Sequence, residues 1–160
     1  MADLGLDYID LYLIHAPWPW EKMGMDCTEG NIECWKAIEE IYESGKAKAI
    51  GVSNFAPEHM QPILDNCKIV PMVDQVSFHI GNRQEAVVAM CKEHDIQLMA
   101  YSPLATGGLD KCEICCKKLL KNTMQQFHRF VLDIVFKKGA IAIPKSTKEE
   151  RIISNVQVEF

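Results

Sequence analysis

Apolar runs and helical periods alternate along this chain from one end to the other. Tyr8–Ile14 is a short apolar and aromatic run of the kind that makes a buried parallel strand, and Ala16–Asn31, rich in Trp, Pro and Gly, reads as the loop after it. Ile32–Glu43 sets Ile32, Ala37, Ile38 and Ile41 at helical spacing with acids outward, and Gly45 is placed to end that helix in a left-handed cap. Lys46–Val52 predicts a second strand. Pro57 suits the first turn of a helix that Asn54 helps to cap, whereas Pro62 predicts a kink or a delayed start. Val70–Phe78 predicts a third strand, Glu85–Glu93 a helix with Val87, Val88 and Cys91 on one face, and Ile96–Ala100 a fourth strand. Met124–Lys138 carries Phe127, Phe130, Val131, Ile134 and Val135 at helical period until Gly139 stops it. Ala140–Ile143 is then a fifth strand and Lys148–Asn155 opens a last helix.

About five parallel strands alternating with helices make this an α/β chain, and no linker, repeat or low-complexity segment divides residues 1–160. Each apolar run closes on a polar tag: His15, Gly51-Val52-Ser53-Asn54-Phe55, Asp74-Gln75, Tyr101-Ser102-Pro103, and Ile143-Pro144-Lys145-Ser146. In a parallel barrel the loops after the strands converge above one face, where function lives, so the tags predict one composite pocket. A complete barrel of this kind needs roughly 250 residues. At 160 residues the expectation is a single incomplete domain, a partial TIM (β/α)8 barrel, with first and last strands as apolar edges that invite self-association.

Three of the tagged blocks carry a resemblance. Leu11-Tyr12-Leu13-Ile14-His15 with Pro17, Lys48-Ala49-Ile50-Gly51-Val52-Ser53-Asn54-Phe55, and Ile143-Pro144-Lys145-Ser146 followed by Glu150-Arg151-Ile152 resemble the signature segments of the aldo-keto reductases, in the same order and spacing. The likeness covers nearly the whole chain, weakens between Leu109 and Val131, and corresponds to strands four to eight of that family's barrel. It implies an oxidoreductase that reduces an aldehyde or ketone to an alcohol with NADPH. His15 matches the catalytic histidine, and an imidazole at a strand end suits polarisation of a carbonyl. Ser53, Asn54 and Gln75 match the residues that hydrogen-bond the nicotinamide carboxamide, and Tyr101 matches the ring stacked on it. Backbone amides near Ser102 and Leu104 correspond to the pyrophosphate contact. Lys145, Ser146, Arg151 and Asn155 resemble the segment at the adenosine end, where Lys and Arg would hold the 2'-phosphate that marks NADP(H).

Several departures accompany the likeness. Ala16 stands where the family commonly has Trp, and Ser154 where it often has an acid. The family's tyrosine proton donor, with its lysine and aspartate, comes from earlier strands, and no motif carrying them occurs here; Tyr8, Tyr12, Tyr42 and Tyr101 fall in segments that match other parts. Two readings therefore stay open: a carbonyl reductase, or a truncated pseudoenzyme or interaction module that keeps part of the cofactor site without turnover. Read singly, His15 also suits a structural role, Ser53-Asn54 a helix cap, Gln75 a loop contact, Tyr101 a packed ring, and Lys145 with Arg151 a solvated surface. The absence of a Gly-x-Gly-x-x-Gly run gives no support to a Rossmann-type site.

Composition narrows the surroundings. At 48% hydrophobic and 24% charged residues with a net charge of -5, the chain reads as a globular acidic protein with no hint of a nucleic-acid partner, and the partner that the resemblance implies is a small carbonyl compound. No run reaches the ~18 apolar residues of a membrane span, and Met1-Ala2-Asp3 opens no secretory signal, so the cytoplasm is expected. Seven cysteines, an odd number, fit reduced thiols. Cys112, Cys115 and Cys116 lack the second ligand pair a zinc site requires, and Cys27, Cys34, Cys67 and Cys91 read as small packing residues. His59, His79, His94 and His128 show no spacing for a metal or a nucleophile. Trp18, Trp20 and Met23, in the loop after His15, suit either a hydrophobic substrate or local packing.

Overall fold

A computed structural model describes residues 2–111 and 124–157. Five parallel strands, β1 (Ile9–Ile14), β2 (Ala47–Ser53), β3 (Val73–Ser77), β4 (Gln97–Tyr101) and β5 (Ile141–Ile143), stand in chain order. Between and after them run the helices α1 (Thr28–Glu43), α2 (Pro57–Asn66), α3 (Glu85–Glu93), α4 (Met124–Lys137) and α5 (Glu149–Val156). The alternation expected of a partial (β/α)8 barrel is the alternation found. By contacts the chain comprises two compact units, one of Met1–Gln75 with Glu85–Gln97 and one of Val76–Gln84 with Leu98–Phe160.

In the first unit β1 pairs with β2 from Ile9↔Ala47 to Ile14↔Val52, and β2 pairs with β3 from Gly51↔Val73 to Ser53↔Gln75. Gly51 is required there: a Cβ at this position would lie 2.3 Å from the Val73 carbonyl oxygen and 2.9 Å from Leu13 Cδ2. α1 packs on β1, β2 and α2. It begins at Thr28 rather than Ile32; its N-cap, Cys27, makes no side-chain cap, and one residue earlier Asp26 Oδ1 accepts the Thr28 backbone N–H at 3.0 Å, a start signal that the loop composition hid. Its buried stripe is Trp35, Ile38 and Glu39, at helical spacing, which leaves Ala37 and Cys34 exposed outside it. Of the other cysteines in this unit, Cys91 is buried and Cys27 and Cys67 are half-buried.

The Glu39 carboxylate accepts the backbone N–H groups of Lys68 (2.6 Å) and Ile69 (2.8 Å), and Trp35 Nε1 donates to the Ile69 carbonyl at 3.0 Å. Three hydrogen bonds thus fasten the loop that leads into β3. That loop takes residues 70–72 out of the strand expected from Val70. α2 runs unbroken through Pro62, with Met60 and Ile63 buried. Asn54 does not cap it; the N-cap is Ala56, whose N–H donates to His59 Nδ1 at 3.3 Å. β1 departs from a fully buried strand, since Asp10 and Tyr12 face outward at alternate positions and Tyr12 is 41% exposed.

In the second unit β4 pairs with β5 from Met99↔Ile141 to Tyr101↔Ile143, and α4 packs on β5 and α5. Val131, Leu132 and Val135 of α4 are fully buried, Val131 against Ile80, Leu104 and Ala105. Gly139, at φ 78, ends α4 as its sequence position foretold. Ile141 and Ile143 alternate outward and remain 43% and 40% exposed. Cys112, Cys115 and Cys116 lie outside the described residues.

Candidate functional site

The first unit gathers four of the residues singled out from sequence. β1 delivers His15 at its C-terminal end, β2 delivers Ser53 and Asn54, and β3 delivers Gln75. Ser53 is buried, and its hydroxyl donates to the Gln75 backbone carbonyl at 2.7 Å; the Asn54 backbone N–H reaches the same oxygen at 2.9 Å. The Asn54 side-chain amide donates to the His15 carbonyl at 2.9 Å and to Ser53 Oγ at 3.0 Å. Asn54 holds a left-handed backbone at φ 61, which an Asn tolerates and most side chains resist. Hydrogen bonds therefore tie three successive strand ends to one another through Asn54.

His15 itself is exposed, with its ring set edge-on to Trp20 at a centroid distance of 5.3 Å. Trp18 turns its ring to His59 at 5.1 Å, and His59 meets Phe55 edge-on at 6.2 Å. Of the loop residues that suited either substrate or packing, Trp18 and Trp20 make ring contacts within the loop and its neighbours, while Met23 is 66% exposed. Trp18 Nε1 is buried without a hydrogen-bond partner among the described residues.

A second feature passed unmarked as chemistry in the sequence. Asp74, flanking Gln75 on β3, is 0% exposed, and neither carboxyl oxygen closes a hydrogen bond. Burial pushes its carboxyl up to about 7, against a smaller opposing pull from the Phe55 backbone N–H. Sequence shows an acid beside Gln75; that it is walled off from water and cations emerges only on folding.

The second unit holds a cavity of about 320 Å³. Ser102, Leu104, Lys145, Ser146, Arg151 and Asn155 all line it, so these six expected residues come together. Lys145 and Ser146 follow β5, while Arg151 and Asn155, four apart on α5, share one helix face. The Ser146 hydroxyl accepts the Lys148 N–H at 3.1 Å and fixes the turn into α5. Thr106 and Gly107 complete a wall that sequence reading missed. Their segment is strained: Ser102, Ala105 and Thr106 sit at φ 48, 51 and 54, a region costly for side chains with a Cβ and found preferentially at functional sites. Tyr101, at the end of β4, is half-buried and stands outside this lining.

Among the described residues no group of three His, Cys, Asp or Glu side chains is placed to hold a metal ion, and no helix is long and apolar enough to cross a membrane.

Comparison with known proteins adds an independent line. The family described as "Aldo/keto reductase family" matches residues 1–159. A 9,11-endoperoxide prostaglandin H2 reductase of Trypanosoma cruzi is 40% identical over 159 residues, covering 97% of this chain and 52% of the relative. A glyoxal reductase of Bacillus subtilis is 39% identical over 159 residues, again covering 97% and 52%. A Bombyx mori aldo-keto reductase crystallised in complex with NADP superposes with a TM-score of 0.74 at 29% identity, covering 98% of this chain and 54% of that one. The chain spans about half the length of the curated relatives it matches.

Proposed function

The chain belongs to the aldo/keto reductase family, and from that premise we propose that it carries the carbonyl-polarising histidine and the cofactor-binding residues of an NADP(H)-dependent reductase of aldehydes or ketones. The observation that carries this reading is the hydrogen-bonded knot of His15, Ser53, Asn54 and Gln75. The knot spends the Ser53 hydroxyl and the Asn54 side-chain N–H groups on internal partners and takes in Gln75 by its backbone carbonyl, so what it supplies is a fixed turn at adjacent strand ends. Asn, Gln and Ser are residue types that suit the acceptor and donors of a carboxamide, which supports the nicotinamide reading.

When bound, that group supplies the hydride for carbonyl reduction. His15, exposed at the strand end with its ring edge-on to Trp20, would donate a hydrogen bond from an imidazole N–H to the carbonyl oxygen and stabilise the negative charge that gathers there, and solvent at this exposed end would supply the proton that completes the alcohol, since no motif for the family's tyrosine donor occurs in residues 1–160. Lys145 and Arg151 give the cavity of the second unit two positive groups, a point charge and a planar fork, suited to a phosphate ester. Tyr101 is assigned to stacking on the nicotinamide ring, and the segment from Ser102 to Leu104 to the pyrophosphate. The reading takes residues 1–160 as part of one barrel domain, cytoplasmic and acting on a small carbonyl compound.

Titrating the protein with NADPH and with NADH while following cofactor fluorescence tests the site, and adding an aromatic aldehyde tests turnover. NADPH is expected to bind more tightly than NADH. His15→Ala is expected to leave NADPH affinity unchanged and to cut turnover by roughly 10²–10³-fold, the loss typical of one oxyanion-stabilising donor. Failure of NADPH to bind would end the proposal, and binding without turnover would support a nucleotide-binding remnant instead.

A further inference from the structure

The loop that carries His15 out of β1 is fastened in an uneven way. In Pro17-Trp18-Pro19 two of three residues have no backbone N–H, so the segment cannot be tied down as a strand would be. Carbonyls serve instead. Asn54 Nδ2 donates to the His15 carbonyl at 2.9 Å, and Asn31 Nδ2, near the start of α1, donates to the Pro17 carbonyl at 2.9 Å. The Trp18 side chain has no such anchor. Its Nε1 is buried without a hydrogen-bond partner among the described residues, which carries a desolvation cost and leaves the ring to be placed by packing. What it packs on is the imidazole of His59, at a centroid distance of 5.1 Å and an interplanar angle of 51°.

His59 is itself held from two directions. It is the third residue of α2, where its Nδ1 accepts the Ala56 N–H at 3.3 Å, and its ring meets the buried Phe55 edge-on at 6.2 Å. An accepting Nδ1 leaves the ring proton on Nε2 and opposes rotation of the imidazole, so the face met by Trp18 is set by the start of α2. Beyond Trp18 the chain is stiff: Pro19 fixes φ at -63, and the Lys22 N–H closes a turn on the Pro19 carbonyl at 2.8 Å. Within that turn Trp20 meets the His15 ring edge-on at 5.3 Å. A displaced Trp18 therefore carries Trp20 with it, and Trp20 borders the imidazole.

We propose that His59 is a positioning residue for His15: by clamping Trp18 to the start of α2, it sets the path of the loop through Trp20 and so the direction in which the His15 imidazole is presented. The consequence for catalysis rests on the carbonyl-polarising role given to His15 above, whereas the clamp stands on the ring contacts alone. One side chain here performs two separable tasks. Gln at the third position of a helix reaches back to the N-cap N–H without offering a ring, and Phe offers a ring without the acceptor.

Those two substitutions test the clamp. His59→Gln is expected to keep α2 capped while shifting the indole N–H signals of Trp18 and Trp20 and the ring C–H signals of His15 in NMR spectra. Its kcat with NADPH and an aromatic aldehyde is expected to fall by up to about 100-fold, the scale of an ångström's misplacement of a reacting group, with the NADPH Kd unchanged. His59→Phe is expected to keep the wild-type His15 and Trp20 signals and most of the wild-type kcat. Trp18→Leu removes the clamp from its other side and is expected to move the His15 signals as His59→Gln does, the double variant moving them no further than either single one. Unmoved His15 signals in His59→Gln or in Trp18→Leu would overturn the proposal, and either variant decides the point if the other fails to fold. Signals in His59→Phe displaced as far as in His59→Gln would also overturn it, because the cap and not the ring would then be responsible. A wild type that reduces no aldehyde counts against the reductase reading only, and the NMR series still upholds or overturns the clamp.

Discussion

At the scale of single residues, close approach sets the rules. Gly51 is there because the Val73 carbonyl occupies the space a Cβ would need, at 2.3 Å, and a backbone oxygen inside a parallel ladder cannot step aside as a flexible side chain would. Gly51→Ala is expected to destabilise the fold by about 2–3 kcal/mol and to lower Tm by roughly 5–10 °C in a thermal melt. An unchanged Tm would show that β2 and β3 have room to separate. His15, Ser53, Asn54 and Gln75 were legible beforehand because each closes an apolar run within a short recognisable block. Asp74 was not, for the physical reason that its chemistry lies in what is missing around it. The residue type was visible beside Gln75, but the walling-off of both its oxygens arises only when β2, β3 and α3 are assembled.

At the scale of elements, the hydrophobic period found each strand and α-helix among the described residues and misjudged most of their ends. α3 matched at both ends, whereas α1 began four residues early because the signal was an Asp26 side chain accepting one N–H, easily lost in a loop rich in Trp, Pro and Gly. Pro62 was expected to kink α2 or delay its start. The helix absorbs the lost bond, because Met60 and Ile63 bury fully on either side and tertiary packing outweighs a local defect. Glu39 makes the complementary point, since it sits on the buried stripe of α1 where its pattern position called for an apolar residue. Its carboxylate instead satisfies the Lys68 and Ile69 N–H groups of the segment entering β3. Glu39→Ala would orphan two buried-side donors and is expected to cost about 2–4 kcal/mol, read as a lower midpoint in urea. Glu39→Gln keeps one acceptor oxygen and is expected to lose less than half of that; equal losses would mean that packing, and not the hydrogen bonds, gives Glu39 its place.

At the scale of the whole molecule, electrostatics sets a contest. The chain carries a net charge of -5, which repels an anionic dinucleotide at long range, so affinity for a 2'-phosphate has to come from local cations that outweigh the distant field. In the proposed site Lys145 and Arg151, which line one cavity, would supply them, and Glu149 and Glu150, also near the start of α5, are outside its lining. At physiological salt the screening length is about 8 Å, so the summed negative charge is largely muted while contacts made within the cavity persist. The proposed site therefore predicts a particular pattern. Replacing Lys145 and Arg151 together with Ala is expected to weaken NADPH binding by roughly 10–100-fold, the range for lost charge-assisted hydrogen bonds, and to change NADH binding by less than about threefold. Added salt is expected to weaken NADPH binding to the wild type more than to the double variant, because the variant has lost the short-range attraction that salt competes with. Equal losses for NADPH and NADH would place the 2'-phosphate elsewhere, and the two cations would then be surface groups that happen to border a cavity.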